Sequence, residues 1–345
     1  MHDHTADIDL ALSGGAPRAV PFTFYDILFP SGFDPAPLQA AGMAICARRS
    51  PFRQVRPHVT VRETVEPDGS IRTLLDTPRG SLTTYQRRAA LAYAPVEHPI
   101  RSREDYAVAA CIVEDTRFLP EYDSFAREIE RVGTAGKVIA HTCHEPLVDL
   151  QLNWIGQERF CYELADNADA LMELHEALVR CHRRMWEVVA RSPADWVLYG
   201  GNIVPEMLGP ERVRTMIAPC WNEFADILHG EGKRIGCHLD ANNRAILAVV
   251  AESRLDLVEA FTPPPDCPVS VAEARAALPG KRLWVNFPSS VHLRPDAEIE
   301  EAAREIVRQA GARAGFLVGV TEDIPREHIL RSCSAVLRAI RKMES

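Results

Sequence analysis

The sequence predicts an α/β chain folded as a (β/α)8 TIM barrel with an N-terminal β-meander insertion. Three observations predict it. From position 137 onward, short apolar segments of strand length alternate with amphipathic helical segments, the pattern of a parallel sheet covered by helices. Six such strands follow one another, another stands at Val20, and an eighth, poorly marked, completes the count. No Gly-x-Gly-x-x-Gly follows any of them, which disfavours a nucleotide-binding doubly wound sheet.

In chain order, residues 1–19 are acidic and Gly/Ala-rich and read as a flexible arm. The first strand covers 20–25, and 38–49 reads as a short helix. Between about 57 and 87 the period changes to two, with His58-Val-Thr-Val-Arg-Glu-Thr-Val65, a turn at Pro67-Asp68-Gly69, then two further alternating runs. That is the meander. Helices are expected over 103–115 and 121–132. Strands follow at 137–141, 196–199, 234–238, 257–261, 283–287 and 315–319, each with a helix after it, the last over 325–342. Residues 20–345 are expected to form one domain.

With 345 residues, 46% hydrophobic and 25% charged, the chain can bury a large core. A net charge of -9 without a Lys/Arg cluster argues against nucleic acid as a partner. The nine cysteines are odd in number and form no Cys-x-x-Cys pair, which fits reduced thiols. The N-terminus lacks a basic segment followed by an apolar run, and no stretch reaches the roughly 18 apolar residues of a membrane span. A cytoplasmic protein without membrane contact is the expectation.

In such a barrel, functional groups sit just past the C-terminal ends of the strands. Those positions are Tyr25 and Asp26, then His141, Thr142 and His144, then Asn202, then His238, Asp240 and Asn242, then Glu259 and Thr262, then Asn286 and Glu322. Polar groups gathered at one rim of an apolar barrel predict a pocket for a small-molecule substrate. In Arg234-Ile-Gly-Cys-His-Leu-Asp-Ala-Asn-Asn243, strand alternation puts His238 and Asp240 on one face. Three readings of the pair stay open: two metal ligands, a base held in one tautomer by a carboxylate, or a cap on the following helix. Glu259 is a third ligand or a general acid/base, or else a salt-bridge partner. Tyr25, Asp26, His141, His144, Asn202, Asn242 and Asn286 are the expected substrate-binding residues. The spacing of His141 and His144 resembles helical metal ligation, but the segment ends a strand, which favours pocket lining.

Several short motifs together resemble the uroporphyrinogen-decarboxylase-like superfamily. They are His144-Glu-Pro146, Gly200-Gly-Asn202, Leu228-His-Gly-Glu-Gly-Lys233, Val258-Glu-Ala-Phe-Thr-Pro-Pro-Pro265, Trp284-Val-Asn-Phe-Pro288 and Gly319-Val-Thr-Glu-Asp-Ile-Pro-Arg-Glu-His-Ile329. Val20-Pro-Phe-Thr23 and Asp76-Thr-Pro-Arg-Gly80 extend the likeness over nearly the whole chain. The resemblance implies a (β/α)8 barrel, in agreement with the strand count. Porphyrin decarboxylases of that superfamily carry an Arg-rich segment after the first strand. Here that place reads Asp26-Ile-Leu-Phe-Pro-Ser-Gly32, so a polyanionic tetrapyrrole lacks its clamp. The corrinoid-dependent methyltransferase branch holds zinc with His-x-Cys and a late Cys. His238 matches, whereas Asp240 and Val318 replace the thiols. The resemblance therefore implies a harder set, His238, Asp240 and Glu259, holding zinc for oxygen-type substrates or holding no metal.

These readings lead to a methyltransferase-type enzyme that demethylates a small O- or N-methylated compound and passes the methyl group to a corrinoid protein. A metal-independent decarboxylase or lyase acting on a small carboxylic acid is the second expectation. A non-catalytic ligand-binding barrel is the third.

Overall fold

Eight parallel strands close into a barrel in a computed structural model that describes residues 3–88 and 93–343. They are β1 (Phe22–Tyr25), β2 (Met43–Arg49), β3 (Gly136–His141), β4 (Trp196–Gly201), β5 (Arg234–His238), β6 (Leu257–Phe261), β7 (Arg282–Asn286) and β8 (Phe316–Val320). Their order around the barrel is the chain order, with β8 returning to pair with β1. The expected (β/α)8 class is thus observed. The strands are almost wholly buried, as a parallel sheet covered on its outer face requires. Alternate residues fill the inside: Tyr25, Ala44, Cys46, Ile139, Trp196, Leu198, Leu257, Trp284 and Leu317 form one buried cluster.

Two local expectations are corrected here. Residues 43–49, expected to be helical, are the strand β2, which pairs with β1 and β3 and is the eighth strand of the count. Met-Ala-Ile-Cys-Ala is a short apolar run buried on both faces, and periodicity does not separate such a strand from a buried helix. Within the expected arm, His4–Leu12 is a helix, N-capped by the Asp3 side chain, which accepts from Ala6 N at 3.0 Å. Residues 1 and 2 lie outside the described residues. The helix buries His4, Ile8, Ala11 and Leu12, an i, i+4, i+7, i+8 stripe, and the last three join the barrel-core cluster. Thr5 Oγ1 donates to the Gly136 carbonyl at 2.6 Å, Lys137 Nζ reaches Asp9 at 2.6 Å, and Arg282 Nε donates to the Leu12 carbonyl at 2.8 Å. Alanine and histidine carry half of the stripe, so its amphipathicity is faint in the sequence.

The chain divides into two compact units. The first, residues 1–51, 122–142 and 193–345, contains the whole barrel. The second, residues 52–121 and 143–192, holds a four-stranded antiparallel meander of Thr60–Val65, Ile71–Thr77, Gly80–Arg88 and Tyr93–Glu97. Its first turn closes where Pro-Asp-Gly stood in the sequence, with Gly69 at φ +78°. It also holds a two-stranded pair, Phe52–Val55 with Arg117–Pro120, the helices Asp105–Asp115, Gln157–Asp166 and Ala168–Ala190, and the short helical segments Pro146–Asp149 and Leu150–Ile155. Among the described residues, no helix is long and apolar enough to cross a membrane.

Leu12 is fully buried in the core cluster. Leu12→Ala is expected to lower unfolding stability by about 2–5 kcal/mol, read from urea denaturation. An unchanged midpoint would mean that the helix is not part of the barrel core.

Candidate functional site

Strand parity carries polar groups onto the inner face at the C-terminal rim. Tyr25 and Cys46 lie in the barrel-core cluster, and Arg48 follows Cys46 by two, so all three share the inside. Arg49 falls on the other face, where it pairs with Asp26 and with Glu128 at 2.9 Å. On β6, Leu257 is inside and Glu259 follows it; on β5, His238 stands directly opposite Glu259 in the ladder. Neighbouring parallel strands in this register bring the two side chains together.

The resulting contacts form a chain. The Tyr25 hydroxyl donates to Glu259 Oε1, His238 Nδ1 lies 2.7 Å from Glu259 Oε2, and His238 Nε2 lies 3.5 Å from Asp240 Oδ2. Side-chain exposure rises outward along it, from 1% at Glu259 through 12% at His238 to 28% at Asp240, so Asp240 is the end that meets solvent. The Arg48 guanidinium stacks 4.0 Å from the Tyr25 ring centre.

The backbone is shaped around this chain. Ala260 adopts φ +58°, uncommon for a residue with a side chain, and the β6–β7 ladder slips between Val258 and Phe261. The Leu239 amide still donates to the Glu259 carbonyl at 2.8 Å, tying both strand ends. Gly201, at φ +141°, lies against His238: a Cβ there would sit 2.8 Å from His238 Cβ and 2.9 Å from its carbonyl oxygen.

Charge distribution follows burial. Burial by itself lowers the pKa of His238, but the Glu259 charge and hydrogen bonding to Asp240 and Glu259 outweigh it and push the pKa up to about 10. Burial tends to raise Glu259, yet the imidazolium, Arg48 and the Tyr25 hydroxyl hold it below the usual range. Tyr25 and Cys46 are raised well above their ordinary values, first by burial and then by Glu259, and stay neutral. At neutral pH the site therefore holds an imidazolium between two carboxylates, a group able to give up a proton rather than take one.

The structure brings together His238, Asp240, Glu259 and Tyr25 of the expected residues. The other expected residues make the following contacts. Asp26 is engaged by Arg49 and by Arg131 at 3.4 Å, because an ion pair across β2 claims its charge. Asn286 is fully buried: its amide donates to Thr262 Oγ1 at 3.3 Å and its oxygen accepts from the Thr321 amide at 3.0 Å, so it braces three strand ends. Asn242 is the N-cap of the following turn and donates to Glu206 at 2.8 Å. Asn202 is exposed at φ +56°, and His141 is half-buried at the end of β3. His144 belongs to the second unit, where its charge acts on Asp149. Glu322 accepts from the Ser289 hydroxyl.

Among the described residues, no group of three His, Cys, Asp or Glu side chains is arranged to hold a metal ion. His238 engages Glu259 through Nδ1, and both Glu259 oxygens are taken, by Tyr25 and His238. The residues present do not fit a three-ligand centre. Sequence reasoning missed Arg48, because β2 was expected to be a helix. The alternation of Ala44, Cys46 and Arg48 is the signal that would have found it.

No family model matches the chain, and no curated protein does. The resemblance to the uroporphyrinogen-decarboxylase-like superfamily thus stands on its short motifs. Among solved structures, the chain is similar to a methyltransferase from Methanosarcina mazei, with a TM-score of 0.61 and 13% identity over 100% of each chain. A glycoside hydrolase family 5 enzyme from Prevotella bryantii B14 aligns over 97% of this chain and 98% of its own, at a TM-score of 0.45 and 10% identity. At such identities, the first likeness shows a shared barrel fold, and the second is too distant to argue from.

Asp240→Asn and Glu259→Gln are each expected to lower the His238 pKa, read by NMR titration of the imidazole. An unmoved titration would show that the carboxylates do not hold the proton. The folded-state pKa of His238 lies above its unfolded value of about 6.5. Its contribution to stability is therefore complete below about pH 6.5 and is lost as the pH rises through about 10. Gly201→Ala should displace the imidazole, costing about 1–3 kcal/mol in denaturation and lowering the same pKa.

Proposed function

We propose that this chain is a methyltransferase-type enzyme that takes a methyl group from a small O- or N-methylated compound and passes it to a corrinoid carried by a separate protein. The observation that supports the reading is the imidazolium of His238 held between Glu259 and Asp240. A methyl group bound to oxygen or nitrogen leaves slowly, because the departing heteroatom keeps the bonding pair and becomes a strong base. A positioned acid removes that barrier.

In this mechanism the carbon–heteroatom bond breaks, its electron pair stays on the heteroatom, and the heteroatom takes the proton from His238 Nε2 at the Asp240 end. The methyl group goes to the accepting nucleophile, which the partner's corrinoid supplies. Glu259 keeps its charge throughout and fixes the ring through Nδ1, while the Tyr25 hydroxyl holds the other Glu259 oxygen. Asp240, the most exposed member, returns a proton from solvent to the imidazole. Arg48, over the Tyr25 ring, adds the positive charge that helps keep Glu259 ionised. No step is assigned to zinc. The barrel shared with the Methanosarcina mazei methyltransferase is in keeping with this reading.

Mixing the protein with cob(I)alamin and a panel of methoxy and N-methyl compounds under strict reduction tests it. Methylcobalamin should form with at least one donor, and His238→Gln should slow the transfer by about 10²–10⁴-fold with KM little changed. The rate should stay level through neutral pH and fall as the pH rises through about 10, where His238 loses its proton. No methylcobalamin with any donor overturns the proposal, and carbon dioxide released from a carboxylic acid without methyl transfer replaces it by the lyase reading.

A further inference from the structure

The second unit contains a cavity of about 290 Å³ that none of the residues discussed above as a reaction centre lines. Its wall is apolar and aromatic on several sides, with Trp154, Phe118, Leu178 and Val113. At this volume it sits at the lower end of the range for small-molecule sites, enough for a body the size of one ring. One cation, Arg56, and one carboxylate, Asp149, also reach it.

The two are not a closed ion pair. Asp149 is half-buried and its oxygens are already used, Oδ1 by the Asn153 amide at 2.6 Å and Oδ2 by the Trp154 indole at 2.9 Å. Arg56 donates from Nε to Thr116 Oγ1 at 3.2 Å, and no other hydrogen bond to its guanidinium is found among the described residues. Thr116, which also lines the cavity, holds the Nε side of the fork, and the two terminal nitrogens have no hydrogen-bond partner among the described residues. A half-buried guanidinium with its bidentate edge unused is matched by a planar oxyanion with two oxygens, which is a carboxylate. The nearby Asp149 charge, which acts on Arg56, disfavours a dianion such as phosphate.

We propose that this cavity of the second unit is a binding site for a small monocarboxylate with an apolar or aromatic body, its carboxylate held by Arg56 and its body by Trp154 and Phe118. Trp154 lines the site, so occupancy reports itself in tryptophan emission, independently of any turnover.

The full chain is titrated with phenylacetate and, as the uncharged match, phenylacetamide. Phenylacetate should change the emission saturably and bind at least about tenfold more tightly than the amide. Arg56→Met should abolish that preference and Arg56→Lys should keep part of it, with circular dichroism confirming that both variants are folded. Trp154→Phe should remove the emission change while calorimetry still registers binding. Equal affinity for acid and amide, a preference unaltered by Arg56→Met, or no saturable binding of phenylacetate each overturns the proposal. So does loss of the signal in His238→Gln, which would place the probe at the barrel rim instead.

Discussion

The carboxylate of Glu259 is the constraint on which the rim of the barrel depends. It is buried completely, on the inner face of a strand. An ionised carboxylate taken out of water is tolerated only when charge and hydrogen bonds replace its hydration. Tyr25 takes one oxygen and His238 the other, with Arg48 adding charge across the Tyr25 ring. Each of these groups is then restricted in turn: the phenol stays protonated, the imidazole stays charged, and the ring plane is set by Nδ1. The chemistry offered to solvent at Asp240 is thus prepared two side chains further in.

Holding that arrangement asks unusual conformations of the backbone. Ala260 takes a left-handed conformation immediately after Glu259, and the slipped ladder there separates the strand's straight part from its exit. Gly201 lets β4 approach His238 more closely than any side chain would permit. Asn286, a residue of the kind expected to contact substrate, instead bridges the ends of β6, β7 and β8. Part of the polarity at the rim is therefore structural, keeping strand ends in place so that a few groups can act.

The other end of the barrel is organised by a different force. There the helix His4–Leu12 closes the core with Ile8, Ala11 and Leu12, and its polar anchors are Thr5 and Asp9 with Gly136 and Lys137. Apolar burial holds the floor, and compensated charge holds the rim. The second unit follows yet another plan, an antiparallel meander with helices and a cavity of its own.

The sequence by itself determined the barrel, because seven of its strands are short apolar runs set between amphipathic helices, and that alternation is local. It also determined that His238 and Asp240 share a side and that Glu259 lies on the next strand. It did not reveal β2, since residues 43–47 are apolar on both faces, nor the first helix, whose stripe is built partly of alanine. Only the tertiary structure decided which rim residues meet. Asp26 and Glu259 look alike along the chain, yet strand register delivers Arg49 to the one and His238 to the other. Such pairings depend on neighbours brought from 21 to 234 positions away, and a protonation state follows from those neighbours rather than from residue type.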